Sequence, residues 1–106
     1  MLPQELLRRL ELKELLNIID VRHGFEFRNG HIPGALHAPF LKILFQVARL
    51  PTDKNTELII TCELGPRAQM AKTLLGMLGY QNTTLLEGHM ASWRKAGYPQ
   101  VKRMKK

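Results

Sequence analysis

Three short apolar runs, "NIIDV" (17–21), "ELIIT" (57–61) and "TTLLE" (83–87), are set between stretches with helical periodicity. This alternation constrains the fold more than any other feature. Runs of Ile and Leu without a regular polar partner suit strands covered on both faces. The helices between them supply that cover, and they give the chain the length a parallel crossover needs.

At the N-terminus, Pro3 suits the first turn of a helix, and Leu2, Leu6, Leu7 and Leu10 form its apolar stripe. "RHGFEFRNG" reads as a turn or short helix stopped by Asn29-Gly30, and "HIPGALHA" as a turn at Pro33-Gly34 that leads into a short strand near Leu36. "FLKILFQVARL" predicts a helix with Phe40, Ile43, Leu44 and Val47 on one face, closed by Pro51. "PRAQMAKTLLGMLG" predicts another, with Met70, Ala71, Leu74, Leu75 and Leu78 on its buried side and Gly79 as the C-terminal cap. "GHMASWRKAG" closes the pattern as a short helix ending at Gly97. The order α, β, α, β, α, β, α, β, α predicts an α/β domain with a small, mostly parallel sheet and helices on both faces. It is expected to span 1–106 as a single domain with a basic tail at 100–106. Ligands of such sheets bind beyond the carboxyl ends of the strands.

Hydrophobic residues make up 44% of the 106, enough for a packed core and too many for a disordered chain. The net charge is +7, with 16 basic and 9 acidic residues, which favours anionic partners. Much of the excess sits in "VKRMKK", which reads as a solvated tail: it has no interleaved aromatics and no nucleic-acid motif, so nucleic acid is not the expected partner. No run approaches the ~20 apolar residues of a membrane span. Glu5, Arg8, Arg9, Glu11 and Lys13 interrupt the Leu-rich N-terminus, which argues for an amphipathic helix over a signal peptide and for a cytoplasmic protein. The single cysteine, Cys62, excludes an intrachain disulfide.

Cys62 opens "CELGPRA" where the second apolar strand meets a helix start. A thiol becomes a nucleophile when its thiolate is stabilised, and a helix N-terminus does this with free N–H groups and a partial positive charge. Gly65 gives the conformational freedom for the loop amides to turn inward as an anion nest. Pro66 presets a first helical residue but has no N–H to give. Arg67 adds a permanent charge that either faces the pocket or anchors the loop on a carboxylate such as Asp20. Glu63 would oppose the thiolate if it pointed inward, and it is expected at the solvent rim instead. Against all this, a lone cysteine at a strand end is more often a small buried hydrophobe.

The chain resembles the rhodanese (sulfurtransferase) family over nearly its whole length. "IIDVR" (18–22) resembles that family's Asp-Val-Arg strand end, and "GHIPGALHAP" (30–39) its Gly-His-Ile-Pro-Gly-Ala segment. "CELGPRA" is similar to its active-site loop, and "LLEGHMASWRKAGYP" (85–99) to its C-terminal signature with Trp and Gly-Tyr-Pro. The resemblance implies that Cys62 accepts a sulfane sulfur and becomes a persulfide. The loop residues Glu63, Leu64, Gly65, Pro66 and Arg67 would surround the sulfur, through their amides apart from that of Pro66. It further implies supporting roles for Asp20, Arg22 and Glu26.

The expected enzyme is a thiosulfate-type sulfurtransferase. A small anionic donor such as thiosulfate gives its outer sulfur to Cys62, and an external thiol, a protein thiol among the candidates, or cyanide takes it away. Neither a metal nor a cofactor is expected, and no histidine pair has metal-ligand spacing. Two alternatives stand beside it. One is a non-enzymatic protein-binding or persulfide-carrier module of the same family. The other is a cysteine-dependent phosphatase or arsenate reductase, whose loops place five residues between Cys and Arg where this chain has four, residues 63–66.

The sequence also departs from the family pattern. His89 stands where a second Gly is usual, Met90 where a Trp is common, and the usual first strand is reduced to Met1-Leu2 at most. His31 and His37 are expected to order their turns, His23 and His89 to be exposed, and Trp93 and Tyr98 to pack the last helix. Met70, Met77 and Met90 read as core or pocket wall.

Overall fold

The computed structural model describes residues 1–102. Residues 103–106 of the basic tail lie outside the described residues. The elements, in chain order, are α1 (Pro3–Glu11), β1 (Ile18–Asp20), α2 (Gly24–Asn29), β2 (Leu36–His37), α3 (Phe40–Leu44), β3 (Leu58–Thr61), α4 (Pro66–Met77), β4 (Thr83–Leu85) and α5 (His89–Lys95).

The four strands form one sheet in the order β2-β1-β3-β4, and every neighbouring pair is parallel. Ile18, Ile19 and Asp20 on β1 lie opposite Ile59, Ile60 and Thr61 on β3. Side chains alternate between faces along each strand, and this parity divides the core in two. Ile18 and Ile59 join Leu6 of α1 and Met90 and Trp93 of α5 on one face. Ile19, Leu58 and Ile60 join Ile43 of α3 and Ala68, Ala71 and Leu75 of α4 on the other. All of β1 and β3 is buried, which explains the apolar runs without polar alternation. Met1 takes the place of an outer strand: its amino group donates to Leu85 O at 2.8 Å, and Glu87 N–H donates to its carbonyl at 2.9 Å.

Two expectations about the helices fail. The helix beginning at Phe40 stops at Leu44, because Gln46 takes the left-handed backbone at φ 57°. Leu44 and Val47 are consequently exposed rather than on a buried face, while Ala48 and Leu50 pack against the core. On α4 the buried stripe is narrow and runs through Ala68, Ala71 and Leu75, where small side chains let the helix lie close to the sheet. Met70 and Met77 fall beside that stripe and are exposed, so of the three methionines only Met90 is core. Among the described residues, no helix is long and apolar enough to cross a membrane.

Candidate active site

Parallel strands bring their carboxyl ends to one edge of the sheet, and β1 and β3 deliver Asp20 and Cys62 there side by side. Cys62 is fully buried. Residues 63–65 then turn sharply into α4, with Pro66 at its first position. The turn depends on Gly65, whose φ of 133° is a conformation that side-chain-bearing residues rarely adopt. In that conformation the Gly65 N–H donates to Cys62 Sγ at 3.0 Å. Among the described residues it is the backbone amide that reaches the sulfur; those of Glu63, Leu64 and Arg67 make no such bond to the thiol. A second sulfur on Cys62 would extend ~2 Å further out, toward the loop and the head of α4.

Arg67 is an anchor, but its partner is Glu26 rather than Asp20. The two form a bidentate pair, Nη1–Oε1 at 2.7 Å and Nη2–Oε2 at 3.1 Å. Asp20 is already taken. It receives Arg22 Nε at 3.0 Å, Arg22 Nη2 at 2.9 Å and the Arg22 backbone N–H at 3.1 Å, and both residues are buried. Arg22 also donates to Gly30 O at 2.7 Å, tying the strand end to the "GHIPGALHAP" segment. Glu26 serves a second purpose by accepting the His23 N–H at 3.0 Å in the capping box of α2. Hydrogen bonding to Arg67, aided by His23, pulls its carboxyl down to about 2. The same pair holds the Arg67 guanidinium above its ordinary value, with weaker help from Cys62 and Asp20.

Glu63 points away from the thiol, as expected of a rim residue. Arg94 binds it at 2.8 and 2.9 Å, and Arg22 approaches it at 3.4 Å. These residues, with Glu26 and the exposed Phe25, border a cleft of about 260 Å³ beside the loop. A hollow of about 310 Å³ beside Tyr80 and Leu78 lies at the far end of α4, away from the Cys62 loop. His31 Nδ1–H donates to Phe27 O at 2.7 Å, and His37 Nε2–H to Arg22 O at 2.8 Å, so both order their turns.

His89 overturns an expectation. It is 7% exposed, and its Nδ1 accepts the Cys62 backbone N–H at 3.3 Å. Burial, and then the Met1 ammonium, hold its pKa below that of an ordinary imidazole. A histidine between Gly88 and Met90 looks like a surface residue by composition. The signal was its place in the C-terminal signature, where the resemblance has a glycine. The first turn of α5 adds two backbone clamps, Met90 N–H to Cys62 O at 3.0 Å and Ala91 N–H to Glu63 O at 3.1 Å.

The family description "Rhodanese-like domain" matches residues 2–96. This chain belongs to the rhodanese-like family. A "Sulfurtransferase" of Allochromatium vinosum is 31% identical over 98 residues, covering 92% of this chain and 90% of that protein. The "Thiosulfate sulfurtransferase GlpE" of Shewanella oneidensis is 28% identical, covering 87% and 88%. A "Putative sulfur carrier protein YrkF" of Bacillus subtilis is 30% identical over 86 residues, and the chain spans 45% of its length. The crystal structure of the Alr3790 protein from Anabaena sp. superposes with a TM-score of 0.88 at 26% identity, covering 98% of this chain and 83% of that one. The α/β fold predicted from the element order, and its rhodanese-like form implied by the resemblance, are therefore the fold observed.

Proposed function

We propose that this rhodanese-like domain is a sulfurtransferase that carries sulfane sulfur on Cys62. The observation that carries the reading is the Gly65 N–H aimed at Cys62 Sγ at 3.0 Å, at the head of a 12-residue helix. In the first half-reaction the Cys62 thiolate attacks the outer sulfur of a donor such as thiosulfate. A Cys–sulfur bond forms, the donor's S–S bond breaks, and sulfite leaves with the bonding pair. In the second, an external thiolate attacks the outer sulfur of the persulfide, and Cys62 leaves as thiolate. With cyanide as acceptor the product is thiocyanate. Because Cys62 is the only cysteine, the acceptor comes from outside the chain. The relatives named as sulfurtransferases support this reading.

Mass spectrometry after thiosulfate treatment tests it. The expected result is a gain of one sulfur atom on Cys62, removable by a thiol, and no gain at any pH would refute the reading. Similarity to the sulfur carrier protein of Bacillus subtilis favours a second reading, a persulfide carrier serving one protein thiol. That reading shares the first half-reaction, and poor turnover with small thiols and cyanide would distinguish it. A phosphatase or arsenate reductase is disfavoured, since the loop is short and Arg67 is committed to Glu26.

A further inference from the structure

The proposed sulfur chemistry assigns no part to His89, yet the fold accepts strain to place it. Its φ of 53° lies in the left-handed region, which is disfavoured for a residue with a Cβ. The buried ring accepts the Cys62 N–H through Nδ1, with Thr61 Oγ1 3.4 Å from the same nitrogen. An accepting Nδ1 means that the neutral ring carries its hydrogen on Nε2. That edge lies against the loop, since a Cβ at Gly65 would stand 3.3 Å from both Nε2 and Cδ2. One ring thus touches the amide of the nucleophile residue and the glycine that donates to its sulfur.

We infer that His89 is a positioning residue for sulfur transfer, holding the Cys62 amide as a neutral acceptor and seating Gly65 beneath the sulfur. A protonated ring has no lone pair on Nδ1. It would set one N–H against another at Cys62 and release the loop. Few charges around the ring favour its protonation. From the sheet side the Met1 ammonium, bonded to Leu85 O, disfavours an imidazolium. From the loop come the Cys62 thiol and the Glu63 carboxylate, which Arg22 and Arg94 engage; Arg94 also lies on the ring's own helix. From β3 comes the uncharged Thr61. Among the described residues no carboxylate is bonded to the ring. Neutral His89 is therefore the working form at neutral pH, and because burial holds its pKa below that of an ordinary imidazole, it is lost only in acid below the usual imidazole range.

The inference rests on Cys62 as the sulfur carrier, but its test does not depend on sulfur. The proteins are the wild type, His89→Gly and His89→Asn. Glycine relieves the backbone and removes the acceptor, whereas asparagine tolerates the left-handed region and offers an amide oxygen that does not titrate. NMR follows the Cys62 and Gly65 amides and the His89 ring between about pH 5 and about pH 8. Rapid mixing with thiosulfate follows persulfide formation. In the wild type both amides should shift with the midpoint of the His89 ring. The ratio of wild-type to His89→Asn sulfur uptake should fall about tenfold across that midpoint. His89→Gly should lose roughly tenfold at neutral pH, and His89→Asn should recover most of it. Amides that ignore the ring's titration would overturn the inference. So would His89→Gly with the wild-type rate and pH profile, or reactivity that rises as the ring protonates. A wild-type protein that takes up no sulfur at any pH defeats the sulfurtransferase reading instead, and the amide titrations still decide the role of His89.

Discussion

Glu26→Gln isolates one charge of the site, because glutamine keeps the shape and can still accept the His23 N–H in the cap of α2. The lowering of Glu26 from 4.5 to about 2 corresponds to ~3 kcal/mol before solvent screening. Arg67 is a third exposed and Glu26 a fifth, so solvent screening reduces the expected contribution to ~1–2 kcal/mol. The sign follows from linkage. A carboxyl whose folded pKa is depressed contributes fully above its unfolded value and loses that contribution as pH falls through the folded one. Urea unfolding should therefore find the variant ~1–2 kcal/mol less stable at neutral pH, with the gap shrinking by more than half near pH 3. Equal stability at neutral pH, or a gap that does not change in acid, would refute the assignment of Glu26 as the charged anchor of Arg67.

Cys62→Ser should take up no sulfur by mass spectrometry, because serine cannot form a persulfide, and its unfolding curve should stay close to wild type. Gly65→Val places a Cβ 3.3 Å from the His89 ring at a φ of 133°, so thiosulfate uptake should fall at least ~10-fold while circular dichroism still shows a folded domain. Arg67→Ala should lower kcat/KM for an anionic donor ~10-fold, equivalent to ~1.4 kcal/mol. Because Arg67 acts through Glu26, that loss should persist in high salt, and steady-state kinetics at two ionic strengths would reveal a loss that instead vanishes.

The strands and their parallel order were legible because burial on both faces leaves a compositional mark, as in Ile18-Ile19 and Ile59-Ile60. The site loop was legible because Cys62, Gly65 and Arg67 each answer a local demand of a strand-to-helix turn. What the residues do not encode locally was missed. Arg67 finds Glu26 across 41 positions, and in a sequence Asp20 is an equally good carboxylate. Only the fold shows that Arg22, two residues from Asp20, has already claimed it. The end of α3 at Leu44 turns on a left-handed Gln46 amid a helical periodicity that runs on past it. His89 was misplaced because polarity predicts exposure, whereas here the cost of burying an imidazole is offset by its bond to a backbone amide.

The two amides that α5 gives to the carbonyls of Cys62 and Glu63 bind the Cys62 loop to that helix without using a side chain. The loop and α5 are therefore coupled: a fluctuation that frees Met90 and Ala91 also unfastens Cys62, the proposed sulfur carrier. Such cooperative local opening follows the free energy of its weakest packed element rather than that of the central sheet. If Cys62 carries sulfur as proposed, the lifetime of its loaded form should follow how firmly Trp93 seats α5, through its ring in the core and its Nε1–H on Pro99 O at 2.7 Å. Fastening of the Cys62 loop and docking of α5 are one equilibrium, so small losses of packing around Trp93 reach the loop well before they unfold the domain.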